Sequence, residues 1–201
     1  MTFARAEAFA PATVANLGVG FDILGLAVHG AGDTVIAQWR DQPGAVIVDI
    51  DGDEGKLPRE SEKNVATVAA NAFLKMMQID RGVSLTLKKG LPLSSGLGSS
   101  AASAVAPVVA INALLGEAFT REQLLPACLE GEALVSGYHA DNIGPSLFGG
   151  IMLITGTDAS QIKRLPVPDN LHLALITPDV EVPTAAARAA LPQQVSLQQM
   201  V

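Results

Sequence analysis

The sequence predicts an α+β fold. Segments with the pattern of β-strands dominate the start of the chain and later alternate with segments of helical periodicity, without the regular strand–helix–strand rhythm of a doubly wound sheet. The composition is 49% hydrophobic and 16% charged, so the 201 residues can bury a substantial core and are not expected to be disordered. Aromatic residues make up only 4%, and a core of small and branched side chains suits close packing of helices on a sheet.

The individual elements follow from local patterns. Runs of apolar and β-branched residues bounded by turn-forming residues predict strands at 3–10, 33–40, 45–50, 83–88, 149–155, 161–165 and 171–177. Apolar residues at helical spacing predict helices at 63–77, 99–115, 120–135 and 183–191. Ser61 or Asn64 can cap the first helix, Thr120 and Gln123 match a capping box at the third, and Pro183 suits the first turn of the last.

Charge and cysteine content exclude several classes of protein. Lys and Arg number 13 against 20 Asp and Glu, for a net charge of −7, whereas a general binder of nucleic acid or acidic membranes needs a basic surface. A nucleotide is not excluded, since backbone N–H groups can hold phosphates inside an acidic protein. Cys128 is the only cysteine, so no internal disulfide can form and a reducing compartment is expected.

Neither a membrane span nor a secretory signal is expected. The longest apolar run, 101–115, is interrupted by Ser103, Pro107 and Asn112 and is too short for a bilayer, so it predicts a buried helix. The first residues lack a charged segment followed by an apolar stretch. We therefore expect a cytoplasmic protein that binds neither membranes nor nucleic acid.

The segment from Pro92 to Ala102, with the sequence PLSSGLGSSAA, is the most informative part of the chain. A predicted strand leads into it and a long predicted helix leads out of it. Gly96 and Gly98 allow the backbone to adopt positive φ and to approach a ligand closely, and the start of the helix offers unpaired N–H groups that favour a polyphosphate. Neither G-x-x-x-x-G-K-[ST] nor G-x-G-x-x-G is present. The residues alone leave two alternatives open: anion binding, and a glycine-rich turn that only starts a helix.

Three stretches together carry a resemblance to a known family. Segment 92–102 resembles the Pro-x-x-x-Gly-Leu-Gly-Ser-Ser-Ala motif of the galacto-, homoserine, mevalonate and phosphomevalonate (GHMP) kinases. Segment 10–25, APATVANLGVGFDILG, and segment 132–143, EALVSGYHADNI, are similar to the first and central motifs of the homoserine branch of that family. The order and gaps match from about Arg5 to the last residue. The resemblance implies an ATP-dependent kinase that phosphorylates L-homoserine in threonine biosynthesis.

The resemblance implies a site for ATP and Mg²⁺. Ser100 and Glu132 would hold Mg²⁺, which prefers hard oxygen ligands, and Ser99 is the alternative to Ser100. The residues implied to contact the nucleotide are Asn64 near the adenine, Lys89 as a phosphate cation, and the loop residues Pro92, Leu93, Ser94, Ser95, Gly96, Leu97, Gly98, Ser99, Ser100, Ala101 and Ala102. Taken alone, Glu132 would be a solvated helix carboxylate, Lys89 an exposed lysine at a strand end, and Asn64 a helix N-cap.

The resemblance also implies a site for a zwitterionic amino acid. The residues implied to form it are Asn16, Asp22, His139, Asp141, Asn142 and Arg188. Asp22 would contact the ammonium of homoserine and Arg188 its carboxylate, for which a planar guanidinium is well shaped. Asn142 stands where some relatives carry a catalytic aspartate, so catalysis is expected to rest on positioning and electrostatics. Taken singly, Asn16 and Asp22 could be turn residues, His139 a structural histidine and Arg188 a surface residue.

The resemblance divides the chain into two domains. Residues 1–167 would form an amino-terminal ATP-binding domain similar to the second domain of ribosomal protein S5, and residues 168–201 would begin a ferredoxin-like carboxy-terminal domain. Chains of the family are longer, which implies that the carboxy-terminal part is missing and that this chain alone binds ATP without turnover. Within the loop, Ser94 stands where glycine is frequent, which puts its local backbone geometry in doubt.

Other functions stay open at this point. One is another small-molecule kinase of the same family that acts on mevalonate or a related alcohol. Another is a nucleotide-binding protein without turnover, and a third is a purely structural α+β domain. The joint presence of Ser100, Glu132, Asn16, Asp22 and His139 favours the enzyme, because a protein that only binds a nucleotide has no need of all five. The family also leaves a homodimer open.

Overall fold

The computed structural model describes residues 3–176, 187, 189–192 and 194–200. The strands are β1 (Arg5–Ala15), β2 (Leu24–Arg40), β3 (Ala45–Asp51), β4 (Gly82–Lys88), β5 (Ile151–Ile154) and β6 (Ile162–Leu165). The helices are α1 (Val65–Met76), α2 (Ser99–Leu114), α3 (Arg121–Ala133), α4 (Ala140–Phe148) and α5 (Leu197–Met200), with one 3₁₀ turn at Ala159–Gln161. Within these ranges, no helix is both long enough and apolar enough to cross a bilayer.

All six strands form one mixed sheet in which β2 is the central element. It has 17 residues and pairs with β1 along one edge and with β4 and β5 along the other, and the order across that path is β3-β4-β2-β5-β6. Among the described strands, only β3 and β4 run parallel, and α1 connects them; the remaining pairs are antiparallel. This architecture confirms the predicted α+β class.

The core lies between the sheet and helix α2. Alternate residues of β1, β2 and β4 face the helices, among them Ala10, Val35 and Leu85, which are fully buried. In α2, 13 of the 16 residues are buried, and many of them are alanines whose small side chains let the helix approach the strands closely. The prediction of a buried helix is therefore confirmed. Helix α2 begins within segment 92–102, the glycine-rich stretch called the phosphate loop below. The tight packing of α2 therefore also fixes the position of that loop.

The structure differs from the predicted elements in several places. β2 begins at Leu24, nine residues before the predicted 33–40, because glycines at 25, 30 and 32 hide the strand pattern. Helix α4 was not predicted, since Gly144 and Pro145 weaken its helical pattern. The predicted strand 171–177 is wrong over 171–176, where no regular element forms and the leucines are exposed. Most of the predicted helix 183–191 lies outside the described residues.

Candidate active site

A cleft of about 560 Å³ opens beside the amino-terminal end of α2, and all three sequence motifs reach it. The predicted site residues that line it are Asn16, Asn64, Lys89, Leu93, Ser94, Ser95, Gly96, Gly98, Ser99, Ser100, Glu132, His139, Asp141 and Asn142. Residues that line it without having been predicted are Ala15, Leu57, Pro58, Lys63, Val65, Leu87, Ser103, Val135 and Ser136. The fold therefore brings together residues separated by more than a hundred positions in the sequence.

The loop before α2 combines left-handed backbone with free helix amides. Ser94, Gly96 and Gly98 have φ of 54°, 73° and 64°. Ser94 thus adopts a left-handed conformation, which glycine adopts most readily and which accounts for the frequency of glycine at this position in the family. Gly98 is the N-cap of α2 and makes no side-chain cap, and its carbonyl accepts the first helical hydrogen bond, from the N–H of Ala102, at 2.9 Å. The N–H groups of residues 99–101 precede the helical ladder, so they are available to an anion.

Four predicted loop residues do not line the cleft. Ala101 and Ala102 are fully buried in the core, and Leu97 packs against it. Ala102 has no group to offer a nucleotide, because its methyl is buried and its amide is used within the helix. Ala101 retains only its backbone amide, and Pro92 is exposed outside the cleft. The part of the loop that lines the cleft is therefore 93–96 and 98–100, and Ala101 adds only a free backbone N–H group.

The two residues expected to hold a metal are in direct contact. The hydroxyl of Ser100 donates a hydrogen bond of 3.0 Å to Oε1 of Glu132, which lies near the end of α3. Glu132 is only 4% exposed, so the solvated carboxylate considered from the sequence is wrong. Its Oε2 is buried and accepts no hydrogen bond of ordinary geometry from any described residue. An orphaned carboxylate oxygen at a cleft surface is what a missing cation would leave.

The pKa of Glu132 is raised. Burial is the main cause, the hydroxyls of Ser100 and Ser136 partly offset it, and the charge of Asp141 adds to it. A divalent cation at Oε2 would favour the ionised form and reverse this shift. No group of three or more His, Cys, Asp or Glu side chains that could hold a metal exists in the described part of the chain. Ser100 and Glu132 still fit Mg²⁺, since that ion often takes only one or two protein ligands and completes its shell with phosphates and water.

Lys89 forms a buried ion pair beneath the loop. Its ammonium contacts the carboxylate of Asp33, and the two side chains are 1% and 0% exposed. It also donates to Oγ of Ser99 at 2.8 Å and to Oγ of Ser103 at 2.9 Å. Burial lowers the pKa of Lys89, and Asp33 opposes that shift. The exposed lysine considered from the sequence is therefore wrong, and Lys89 anchors the first turn of α2 from below.

The first motif forms a loop closed by its own side chains. Oδ1 of Asn16 accepts a hydrogen bond of 2.8 Å from the N–H of Asp22, and both residues have positive φ, 58° and 61°. The turn role that the sequence left open is thereby confirmed for this pair. Asn16 lines the cleft, whereas Asp22 is half-buried and does not line it. The negative charge of Asp22 nevertheless reaches Asp141, where it raises the pKa.

The start of α4 brings polar side chains to the cleft. His139 is its N-cap residue, and Asp141 and Asn142 lie in its first turn. Asp141 is 5% exposed; burial raises its pKa, Asp22 raises it further, and His139 opposes the shift. The helix lies so close to β2 that a Cβ on Gly25 would stand 1.9 Å from the carbonyl oxygen of Asp141. Glycine at that position lets the two elements meet.

Of the two remaining predicted site residues, the structure describes Asn64 but not Arg188. The side-chain oxygen of Asn64 accepts from the N–H of Ala66 at 2.9 Å, and its Nδ2 donates to the carbonyl of Pro58 at 2.7 Å. Asn64 is therefore the N-cap of α1, and it lines the cleft with both ends of its side-chain amide in hydrogen bonds. Arg188, the predicted carboxylate contact, lies outside the described residues.

Comparison with known proteins assigns this geometry to a family. The model of the "GHMP kinases N terminal domain" matches residues 64–150, which include α1, the phosphate loop and the Ser100–Glu132 pair. A crystal structure of homoserine kinase from Cytophaga hutchinsonii superposes on the whole chain with a TM-score of 0.93 at 46% identity, over 64% of its own length. Residues 64–150 form a GHMP kinase amino-terminal domain.

Curated relatives agree with this family assignment. Homoserine kinase of Arabidopsis thaliana is 48% identical over 97% of this chain, and that of Chlorobium phaeobacteroides is 41% identical over 94%. The chain spans 54% and 62% of those two proteins. A mevalonate kinase from L. major, at 18% identity and a TM-score of 0.57, shares the fold alone.

Two sets of residues stand out among those that sequence reasoning missed. Leu57, Pro58, Lys63 and Val65 surround the start of α1 at one end of the cleft. Their pattern is that of an ordinary loop and helix start, so only the position of Asn64 between them could have indicated the site. Asp33 is the more informative omission, because a buried carboxylate within an apolar strand requires a cation, and Lys89 is that cation.

Proposed function

We propose that this protein is a homoserine kinase of the GHMP family, which transfers the γ-phosphoryl group of ATP to the side-chain hydroxyl of L-homoserine, in threonine biosynthesis. The observation that carries the substrate is 48% and 41% identity to homoserine kinases along almost the whole chain, against 18% to a mevalonate kinase. The observation that supports phosphoryl transfer is the Ser100–Glu132 pair with its orphaned Oε2 beside the glycine-rich loop.

The loop and α2 bind the nucleotide in this proposal. The first amides of α2 and the left-handed backbone of Gly96 and Gly98 donate to phosphate oxygens, and the ion pair of Lys89 with Asp33 holds that turn rigid. Ser100 and Glu132 hold Mg²⁺, which neutralises charge on the phosphates when it is bound. The apolar residues around Asn64 flank the adenine.

The acidic side of the cleft binds the amino acid. Asp141 is buried and its pKa is raised, in part by the charge of Asp22, so this pair favours a cation such as the ammonium of homoserine. The oxygen of the homoserine hydroxyl bonds to the γ-phosphorus while the bond from that phosphorus to the bridging oxygen of ADP breaks, and the hydroxyl proton passes to phosphate or water. Asn142 has no basic group, so the chain contributes orientation and electrostatic stabilisation to this step. Arg188 contacts the carboxylate of homoserine.

The proposal extends to domain organisation and location. Residues 1–167 form the ATP-binding domain, and 168–201 belong to the beginning of the second domain. Support comes from the sheet, whose last strand, β6, ends at Leu165. The expected compartment is the cytoplasm, which agrees with the single Cys128 being a buried free thiol whose pKa burial raises to about 12.

Product identification tests the proposed reaction. The full-length protein is incubated with ATP, Mg²⁺ and L-homoserine, and the products are resolved by ³¹P NMR. We expect equal amounts of ADP and O-phospho-L-homoserine. ADP formed together with inorganic phosphate alone, or no consumption of ATP, would contradict the proposal. One alternative is a protein that binds the nucleotide without turnover. In that case ATP would raise the Tm of the protein and no product would form.

A further inference from the structure

Thr13 connects three parts of the active site that are far apart in the sequence. It lies on β1 opposite Ala27 of β2 and is fully buried. Its Oγ1 donates a hydrogen bond of 2.7 Å to Oδ1 of Asn142, 129 residues away at the start of α4. Its backbone N–H donates to the carbonyl of Leu97 in the phosphate loop at 3.0 Å. Nothing in the first motif's resemblance assigned a role to this threonine.

The bond from Thr13 determines which end of the Asn142 side chain is left for a ligand. A carboxamide has one oxygen that accepts and one nitrogen that carries two donors. Because Oδ1 accepts from Thr13, the two N–H groups of Nδ2 are what Asn142 can offer in the cleft that it lines. A β-branched side chain on a strand is restricted at χ1, so the hydroxyl of Thr13 is held in one direction.

The same hydroxyl sets the distance between Asn142 and the phosphate loop. A Cβ on Gly98 would stand 1.9 Å from Oγ1 of Thr13 and 3.0 Å from Oδ1 of Asn142. The backbone at the start of α2 therefore packs directly on the Thr13–Asn142 pair. Loss of the hydroxyl would release Asn142 to rotate and would leave a gap beneath the loop.

We propose that Thr13 is a positioning residue, which aims the amide donors of Asn142 at the phosphoryl group in transit and holds them in register with the phosphate loop. This proposal rests on the phosphoryl transfer proposed above. Thr13 does not touch a substrate, so its contribution acts through Asn142. Donors that are fixed before the reaction stabilise developing charge without reorganisation, and this is a contribution to kcat and not to nucleotide affinity.

Kinetics of the full-length protein test the proposal with three variants of one residue. Thr13→Val is nearly isosteric and removes the hydroxyl, whereas Thr13→Ser keeps it. Thr13→Ala is a second variant without the hydroxyl, for use if the valine variant does not fold. Loss of such an orienting contact costs roughly 10–100-fold in activity. We expect that loss in kcat for Thr13→Val, with the KM for ATP changed less than about threefold, and near-normal values for Thr13→Ser. An unchanged kcat in a folded hydroxyl-free variant would overturn the proposal.

A double-mutant cycle separates positioning from general damage. If Thr13 acts through Asn142, Thr13→Val should add little to the effect of Asn142→Ala, because contacting residues that act together are not additive. Equal factors in the two backgrounds would mean that Thr13 acts independently. A kcat loss that Thr13→Ser shares with Thr13→Val, with equally lowered thermal stability, would assign a purely structural role.

A measurement without turnover keeps this proposal distinct from the proposed function. In the ¹⁵N-labelled 201-residue chain, the side-chain amide signals of Asn142 are assigned by their disappearance in Asn142→Ala. We expect those signals to move or broaden in Thr13→Val and to stay in place in Thr13→Ser. Signals unchanged in Thr13→Val would contradict the positioning role, whether or not homoserine is phosphorylated. Absence of homoserine phosphorylation with shifted signals would contradict only the substrate.

Discussion

Ser100 donates a hydrogen bond of 3.0 Å to Oε1 of Glu132, while the other oxygen of that carboxylate is buried and accepts no hydrogen bond of ordinary geometry from any described residue. A half-satisfied buried carboxylate is costly in a folded protein. Its position at the mouth of a glycine-rich loop gives that cost a function, because a Mg²⁺–nucleotide complex would supply the missing partner. The first two predictions follow from this pair.

Replacement of Glu132 by Gln should lower kcat at least about 100-fold, equivalent to about 2.7 kcal/mol of transition-state stabilisation, because it removes the charged metal ligand and keeps the volume. Ser100→Ala should act in the same direction. Steady-state kinetics at saturating Mg²⁺–ATP measure both. Glu130→Gln is the matched control, since that carboxylate lies on the same helix and bonds the hydroxyl of Tyr138 instead. Near-normal turnover in both variants would show that the metal is held elsewhere.

Glu132→Gln should also stabilise the ligand-free protein at neutral pH. A carboxyl whose pKa is raised by folding binds its proton more tightly in the native state than in the unfolded chain. Its ionisation therefore destabilises the fold as pH rises from the ordinary value of 4.5 through the folded pKa. Each kcal/mol regained corresponds to about 2–4 °C in Tm for a domain of this size.

Thermal unfolding from pH 4 to pH 8, without metal or nucleotide, measures that difference. The stability advantage of Glu132→Gln over the unsubstituted protein should be small near pH 4 and grow toward neutral pH. Addition of Mg²⁺–ATP should then stabilise the unsubstituted protein more than the variant. A stability advantage of the variant that shrinks from pH 4 to pH 8 would contradict the idea that the buried charge of Glu132 destabilises the fold.

The ion pair of Lys89 and Asp33 should matter for folding. Removing one member of a buried pair leaves an uncompensated charge and typically costs about 3–5 kcal/mol. We expect a loss of this size in Lys89→Met and in Asp33→Asn, and a smaller loss in the double variant than the sum of the two. Denaturant unfolding measures it, with the exposed neighbour Lys88→Met as the control. A Lys89→Met variant with the same free energy of unfolding as the unsubstituted protein would show that the pair is not required for stability.

Gly98→Ala should abolish nucleotide binding, and Gly96→Ala should only weaken it. Both positions have positive φ, 64° and 73°, which an alanine adopts with strain. Only at Gly98 does a Cβ collide with neighbouring atoms, 1.9 Å from Oγ1 of Thr13; at Gly96 nothing lies within 4 Å. Titration calorimetry with Mg²⁺–ADP on the two variants compares two positions that both have left-handed backbone. Equal affinities of the two variants would show that the close contact between Gly98 and Thr13 does not matter for nucleotide binding.

Local patterns predicted much of the fold and left out what depends on long-range packing. Asn64 and the pair of Thr120 and Gln123 were recognisable as caps because such bonds are local, and both are formed. The early part of β2 and the whole of α4 were not recognisable, since glycine and proline there serve close packing and not local propensity.

The candidate site shows the same limit. The glycine loop and the Ser100–Glu132 pair could be anticipated from motifs, but the burial of Glu132 could not, because an isolated carboxylate on a helix is usually solvated. The partners Asp33 and Lys89 are 56 residues apart, and Thr13 and Asn142 are 129 apart. No periodicity connects such pairs, so only the folded chain reveals them.

The initial rate of ADP release by the full-length protein, measured with L-homoserine, mevalonate, galactose and L-serine at matched concentrations, tests the central claim most directly. In the proposed site, Asp22 and Asp141 attract the ammonium of a zwitterion and Arg188 its carboxylate. L-Serine controls for that charge pattern with a shorter side chain. We predict the highest rate with L-homoserine and only background rates with mevalonate and galactose. Faster ADP release with mevalonate than with L-homoserine would contradict the account.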